Sequence, residues 1–454
     1  MAFVSRNPAT GRVVQQYPVW NEAQLEEALR DVAIATPQWA ATPVEQRCAL
    51  LHAIADEITR RRDELAELIT LEMGKLIKES RAEVEKSALG CRYYADNAAR
   101  FLADEVIASD AGKSFVAHQP IGAILAIMPW NFPVWQVFRF LAPALAAGNT
   151  GVLKHASNVP QCALAIEDIV RAAGAPGGIF RTLMISSGQV AGVIADPRIR
   201  AVTLTGSESA GRQVAATAGA HLKKTVLELG GSDPFIVLED ADLDWAVQQG
   251  VASRYLNAGQ SCIAAKRFIV VECIADEFVA RFKSAVEQLR PGDPMAETTT
   301  LAPMAREDLR DELHQQVQRS VAAGAVAVSG CAVVEGAGAY YQPSILDHVK
   351  PGMAAWSEEL FGPVATILRA RDEADAIKIA NGSDFGLGGS VWTRDSERGE
   401  RLARKVQSGA VFVNSMVKSD PRLPFGGIKN SGYGRELSYH GMMEFVNQKT
   451  IWVR

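Results

Sequence analysis

Cys262 closes a short polar stretch, Asn257-Ala258-Gly259-Gln260-Ser261-Cys262, with apolar sequence on either side. A thiol attacks carbon only as thiolate, and it needs an oxyanion site beside it and an open approach. Small residues meet those needs. Gly259 lets the backbone turn close to reacting atoms, and Ser261 and Cys262 can aim main-chain N–H groups at a developing negative charge. Taken alone, a cysteine in such a setting is more often a small buried hydrophobe. Thirty-four residues upstream, however, Glu228 lies in Leu227-Glu228-Leu229-Gly230-Gly231, an acid inside an apolar run that breaks at two glycines. Burial raises the pKa of such an acid towards that of a working general base. No histidine dyad stands beside the cysteine motif, which tells against a papain-like hydrolase.

The elements that must carry these groups follow from hydrophobic period. Residues 121–128 form a nearly continuous apolar run, as a parallel strand covered on both faces requires, and deliver Trp130-Asn131 to its carboxyl end. Runs at 151–153, 179–185, 201–204, 225–229 and 234–238 alternate with helical stretches such as 160–173 and 208–221, predicting a parallel sheet wound on both sides. Gly206-Ser207-Glu208-Ser209-Ala210-Gly211 follows a strand and opens a helix, so its amides can face a phosphate at the positive helix end, though the spacing is not the common GxGxxG. Residues 230–420 read as a second α/β unit, with runs 268–271 and 364–368 and helices 275–289 and 304–323. Upstream, Asn21 predicts a helix N-cap, and Thr42-Pro43-Val44-Glu45 a capping box. The charged amphipathic helix across 62–105 reads as an outer layer. Residues 415–432 are too rich in turn formers for a core element and suit a pocket-lining loop.

Composition bounds the rest. A chain of 454 residues, 48% hydrophobic and 22% charged with a net charge of −5, has room for two or three domains and no basic footprint for nucleic acid. Its six cysteines show no paired spacing, which points to reduced thiols rather than disulfides, and no metal site is implied. The N-terminus has no signal pattern, and every apolar run is broken short of a membrane span, so a cytoplasmic protein is expected.

Six motifs stand in order: Pro129-Trp130-Asn131-Phe132-Pro133, Leu204-Thr205-Gly206-Ser207, Glu228-Leu229-Gly230-Gly231, Gln260-Ser261-Cys262, Glu358-Glu359-Leu360-Phe361-Gly362-Pro363 and Pro424-Phe425-Gly426-Gly427. In order and spacing they resemble the aldehyde dehydrogenase superfamily, from about residue 5 to the C-terminus. The resemblance implies an α/β fold with a Rossmann-type dinucleotide-binding domain (1–100 and 121–230), an α/β catalytic domain (231–420) and a small β oligomerisation domain made of 101–120 and 436–454, in a homodimer or homotetramer. It implies NAD or NADP held by Lys154, Ser157, Trp130, Gly206, Ser207, Gly211, Leu229, Glu359 and Phe361, with Glu359 on the nicotinamide-side ribose. Members strict for NAD usually carry glutamate where this chain has Ser157, so the missing repulsion keeps NADP open beside NAD. His155 stands where the family often has proline. In the implied reaction Cys262 attacks an aldehyde carbon, the Asn131 amide and the Cys262 N–H hold the oxyanion, hydride leaves for the nicotinamide, and Glu228 activates the water that hydrolyses the thioester.

Other classes fit less well. A cysteine amidase or thioesterase has no use for a dinucleotide site, a non-catalytic relative should have lost Cys262, Glu228 or Asn131, and a CoA-acylating member usually lacks the glutamate. For substrate, the wording of the motifs is most similar to a bacterial succinate semialdehyde dehydrogenase subgroup. Arg139, eight residues beyond Asn131, stands in that subgroup's Asn-Phe-Pro-x5-Arg frame and would clamp a substrate carboxylate, although a structural salt bridge is the plainer role. Trp135, Ser261, Ser419 and Phe425 complete the implied substrate site. A second arginine often found six residues before the cysteine is Leu256 here, for which Ser419 could supply a replacement hydrogen bond. Ala264 replaces the second cysteine of a redox switch, so none is expected. Broad-specificity aldehyde oxidation is the alternative.

Overall fold

The apolar runs between 121 and 229 do form one parallel sheet. A computed structural model describes residues 2–454, and in it the strands lie in the order Lys224–Glu228, Ile199–Thr205, Ala123–Met128, Thr150–His155 and Phe180–Thr182. The chain winds one way from Ala123–Met128 and then the other, so the order reverses between that strand and Ile199–Thr205. An α/β sheet opens a ligand crevice at such a reversal, outside the carboxyl ends of its strands. Met128 leads there into Pro129-Trp130-Asn131, and Thr205 into Gly206-Ser207.

The second sheet begins where the first ends. Lys224–Glu228 stops at Glu228, Leu229-Gly230-Gly231-Ser232 crosses over, and Asp233–Val237 starts a sheet in which it pairs with Ala265–Val271 on one side and Ser390–Trp392 on the other. Val364–Ala370, Ser344–Asp347 and Phe412–Val413 extend it in parallel, and Val326–Ser329 closes one edge antiparallel. Cys262 lies just before Ala265–Val271, so nucleophile and acid occupy neighbouring inter-strand connections. The crossing has little spare room, since a Cβ on Gly231 would stand 2.7 Å from the Cys262 carbonyl oxygen.

A third, small sheet pairs Val446–Val453 along the full length of Lys113–Pro120, with Glu105–Val106 added on the far side. Val106, Trp452 and Val453 are exposed on it. Gly432–Tyr433 joins the first sheet antiparallel to Leu227-Glu228 and thereby ties the C-terminal segment behind the acid.

Two helical expectations need correction. Asn21 caps Glu22–Ala41 in a reciprocal box with Gln24, but the box expected at Thr42 is not made. Only Thr42 and Pro43 separate Glu22–Ala41 from Val44–Arg60, and the Thr42 hydroxyl donates back to the Gln38 carbonyl, so it serves the helix that ends rather than the one that begins. The charged stretch expected as an outer layer contains Ile77–Phe101, which is an inner helix on one side. Its Glu83 is buried and accepts from the N–H groups of Val134 and Trp135 at 2.9 and 3.1 Å, capping the helix Trp135–Ala147. Lys75 balances Glu83 in a buried ion pair and lies over the Phe132 ring. Among the described residues no helix is long and apolar enough to cross a membrane.

Candidate active site

The loop that carries the nucleophile is held in an unusual backbone shape. Asn257, Ala258 and Gly259 follow one another at φ of 54°, 50° and 74°. Left-handed backbone costs a residue with a Cβ about 1–2 kcal/mol, so the surroundings must impose it. They do so through carbonyls and side-chain amides. Asn257 Nδ2 donates to the carbonyls of Asn131 and Gln260, Gln260 Nε2 to the Asn257 carbonyl, and Gln260 Oε1 accepts from the Ala305 N–H. Buried Arg254 spans the carbonyls of Gly259 and Gly362, both at 2.6 Å, and Lys266 Nζ takes those of Ser261 and Cys262 at 2.9 and 2.8 Å. With its carbonyls drawn back onto two cations, the loop leaves the Cys262 N–H without a protein acceptor among the described residues. At Gly259 a Cβ would meet the Gly362 carbonyl oxygen at 2.3 Å, so this glycine is required by close approach as well as by φ.

Asn131 is fixed beside that N–H. Its Oδ1 accepts from Gln136 Nε2 at 3.2 Å and its Nδ2 donates to the Gln260 carbonyl at 3.0 Å, which leaves the second amide hydrogen free. Cys262 is half-buried, and desolvation pushes its thiol pKa up to about 12, opposed by Arg139 and Lys266. The resting thiol therefore holds its proton.

Glu228 is 2% exposed, with neither carboxylate oxygen hydrogen-bonded. Burial, and then the neighbouring Glu436, raise its pKa well above the ordinary carboxylate range, while Arg139 and Arg435 pull it down. Its space comes from Gly426, where a Cβ would lie 2.6 Å from Oε1. Glu436 is the acid that sequence reading missed. It is anchored by a reciprocal pair of backbone hydrogen bonds with Phe425, at 2.7 Å each, and stands 2.5 Å from Arg139 Nη2. Arg139 Nη2 also donates to Thr205 Oγ1 at 3.1 Å, and the guanidinium lies 4.9 Å from the Phe425 ring centre. Arg139 thus lines the tunnel as expected, but with its charge already balanced by Glu436.

Two cavities meet at Cys262. One, of about 310 Å³, is lined by Trp130, Gly206, Ser207, Leu229, Glu359 and Phe361 together with Asn131 and Cys262. Trp130 and Phe361 pack edge to face with ring centres 5.8 Å apart. Ser207 caps the helix Glu208–Ala220, whose Gly211 leaves room for Leu229: a Cβ there would stand 2.6 Å from that side chain. Glu359 Oε1 accepts from the Gly231 N–H at 3.0 Å and pairs with Lys266 at 3.1 Å, so one lysine holds both the nucleophile loop and this acid. Glu358 instead pairs with Arg319. A helix N-terminus, small backbone residues and a seated carboxylate fit a dinucleotide and its ribose hydroxyls. Lys154 and Ser157 stand at the carboxyl end of Thr150–His155, on the first sheet but outside this cavity. Between them His155 is buried, with Nε2 2.8 Å from the Pro133 carbonyl and Nδ1 accepting from the Ala156 N–H, and it secures the Asn-Phe-Pro segment to the strand.

The other cavity, of about 460 Å³, reaches Cys262 past Trp135, Arg139, Ser261, Ser419 and Phe425. Its wall is apolar at Phe132, Trp135, Ile263 and Phe425 and basic at Lys75, Lys78, Lys86, Arg139 and Lys418, with Glu79 and Glu83 among them. Leu256 lines it where the sequence lacks a second arginine. Lys86, Lys266 and Gln260 belong with Glu436 among the residues whose placement sequence reading did not supply.

The architecture recurs in known proteins. Over its full length the chain is 52% identical to all of a Synechocystis protein named "Probable succinate-semialdehyde dehydrogenase", NADP(+), and 50% identical to all of succinate-semialdehyde dehydrogenase (NADP(+)) 1 of Mycobacterium ulcerans. It superimposes at a TM-score of 0.98, with 40% identity and complete coverage of both chains, on succinic semialdehyde dehydrogenase from Streptococcus pyogenes, solved with NADP+ as the cofactor. Residues 1–451 match the model of the aldehyde dehydrogenase family, to which the chain therefore belongs.

Proposed function

We propose that the chain oxidises succinate semialdehyde to succinate with NADP, and with NAD as second cofactor. The observation that carries the reading is the place of Cys262, where a cavity suited to a dinucleotide meets a tunnel with basic groups in its wall. The names of the similar enzymes point to the same substrate and cofactor. Ser157, exposed and uncharged at the sheet edge, leaves space for a 2′-phosphate that Lys154 can neutralise.

Each step has a residue to perform it. Cys262 gives its thiol proton to solvent as Sγ bonds to the aldehyde carbon, and the carbonyl electron pair moves onto oxygen. The Cys262 N–H and the free Asn131 amide hydrogen receive that oxyanion. A bound nicotinamide dinucleotide supplies the hydride acceptor for this carbon. Glu228, in its ionised form, takes a proton from water as that water adds to the thioester, and the C–S bond then breaks to return the cysteine and release the acid. Arg139 opposes the upward shift of the Glu228 pKa.

The division into a dinucleotide-binding part (1–100 and 121–230), a catalytic part (231–420) and oligomerisation segments (101–120 and 436–454) belongs to the same proposal. The exposed apolar residues of the third sheet support pairing with further copies, as a homodimer or homotetramer. Six free thiols suit a reducing compartment such as the cytoplasm. The apolar wall of the tunnel favours broad-specificity aldehyde oxidation as the second reading. Absorbance at 340 nm with succinate semialdehyde and with neutral aldehydes, using NAD or NADP, with and without CoA, tests the proposal. A kcat/KM no higher for the semialdehyde than for a neutral aldehyde of equal length overturns the substrate assignment.

A further inference from the structure

The cations that face the substrate tunnel are not equivalent. Lys75 is neutralised by Glu83, Arg139 by Glu436, Lys78 is exposed and donates to the Thr299 carbonyl at 3.1 Å, and Lys418 is exposed to solvent at the edge of the cavity. Lys86 is different. It projects from Ile77–Phe101 into the same cavity as the Cys262 thiol, and among the described residues no carboxylate pairs with it. Its ammonium donates to the Ser419 hydroxyl at 2.6 Å and lies 4.7 Å from the centre of the Trp135 ring. The two acids whose charge it feels are committed elsewhere, Glu83 to Lys75 and Asp420 to Arg422 at 2.6 Å. Burial, then the charge of Arg139, bring the Lys86 pKa down to about 8, so the ammonium is mostly retained at neutral pH at a cost that an anion would relieve.

Resting on the semialdehyde reading, we infer that Lys86, with the Ser419 hydroxyl beside it, is the cation that receives the carboxylate of the substrate, while Arg139 serves the acid cluster behind Glu228. The carboxylate would complete a charge-assisted hydrogen bond to a lysine already oriented by a neutral hydroxyl and an aromatic face. This arrangement also accounts for Leu256, since the charge missing from the cysteine side of the tunnel is supplied from the opposing helix. Lys86 has no part in the bond-making steps, so its role is in substrate specificity.

The test compares the wild-type enzyme with Lys86→Met, which keeps the length of the stem, and Lys86→Arg, which keeps the charge. Each is assayed with NADP on succinate semialdehyde and on butanal, and with succinate as inhibitor of butanal oxidation. Loss of a hydrogen bond to a charged partner predicts that Lys86→Met raises KM for the semialdehyde and the inhibition constant of succinate by about tenfold or more, with kcat and the butanal parameters within about threefold. Lys86→Arg should stay within about threefold of wild type throughout. Unchanged semialdehyde KM and succinate inhibition in Lys86→Met overturn the inference, and so do equal losses on both aldehydes. A wild-type enzyme that neither prefers the semialdehyde nor responds to succinate overturns the semialdehyde reading itself, and this inference with it.

Discussion

Arg139→Met removes the buried cation that faces both Glu228 and Glu436, and the consequences separate a structural charge from a substrate clamp. The guanidinium is 2.5 Å from Glu436 and donates to Thr205 at 3.1 Å. Removing one partner of a buried ion pair costs about 3–5 kcal/mol when the other charge is left uncompensated. Glu436, its pKa already raised by burial, limits that loss by taking up a proton. Arg139 also lowers the pKa of Glu228. Without that cation the Glu228 pKa moves further up, and neutralisation of Glu436 offsets part of the change. Fewer Glu228 side chains are then ionised at a given pH, and turnover limited by hydrolysis falls for every aldehyde. The assay is kcat against pH for succinate semialdehyde and butanal, beside thermal unfolding. Both substrates should lose turnover alike, with the rising limb moved to higher pH, and Arg139→Met combined with Glu436→Gln should recover stability because no buried charge is then unpaired. A loss confined to the semialdehyde, with the pH limb in place and stability kept, would refute this reasoning and return Arg139 to the role of carboxylate clamp.

Glu228→Gln should give a stoichiometric burst of reduced cofactor and then stall as thioester, because hydride transfer precedes hydrolysis; in the wild type the hydrolytic rate should climb with pH above the ordinary carboxylate range, as a raised Glu228 pKa requires, and that climb should vanish in the variant. Steady turnover without acyl-enzyme would assign Glu228 another role. Ser157→Glu should depress kcat/KM for NADP far more than for NAD, and an unchanged ratio would mean that this edge does not reach the adenosine ribose. His155 is held neutral, its pKa lowered by burial from 6.5 to about 4, so the unfolded chain binds the extra proton and stability is lost as pH falls through that window, by about 3 kcal/mol in all. His155→Gln should flatten the fall in thermal midpoint between those pH values, and identical pH slopes in both proteins would show that the imidazole is not the titrating group.

Much of the site could be read from the sequence because its chemistry is local. An acid within an apolar strand must be desolvated wherever the strand goes, and a glycine-bearing loop ending in cysteine has few other uses. The strand runs were equally legible, since a parallel strand buried on both faces leaves a nearly unbroken apolar signature. What escaped depends on partners far apart in the chain. Glu436 meets Arg139 across nearly three hundred residues, and nothing near either one marks the pairing. Ile77–Phe101 was misread because an amphipathic pattern reports that one face is polar without saying whether that face meets bulk water or a cavity. The box at Thr42 failed by competition: a single hydroxyl between two helices can serve only one of them.

The placement of charge then explains why a tunnel of this kind carries several cations. A thiol whose pKa stands near 12 and a carboxyl whose pKa is raised by burial make a resting site that is chemically quiet, and every positive group nearby works against one of those shifts. Lys266 is fixed on loop carbonyls and Glu359, where it shapes the oxyanion site. Arg139 is fixed on Glu436, where it keeps Glu228 within reach of ionisation. Each of these cations has its charge balanced inside the protein and would bind a substrate anion only by surrendering that partner. A cation that recognises substrate must instead be left without one, and among the described tunnel cations that are shielded from solvent the requirement falls on Lys86, whose ammonium donates to a neutral hydroxyl.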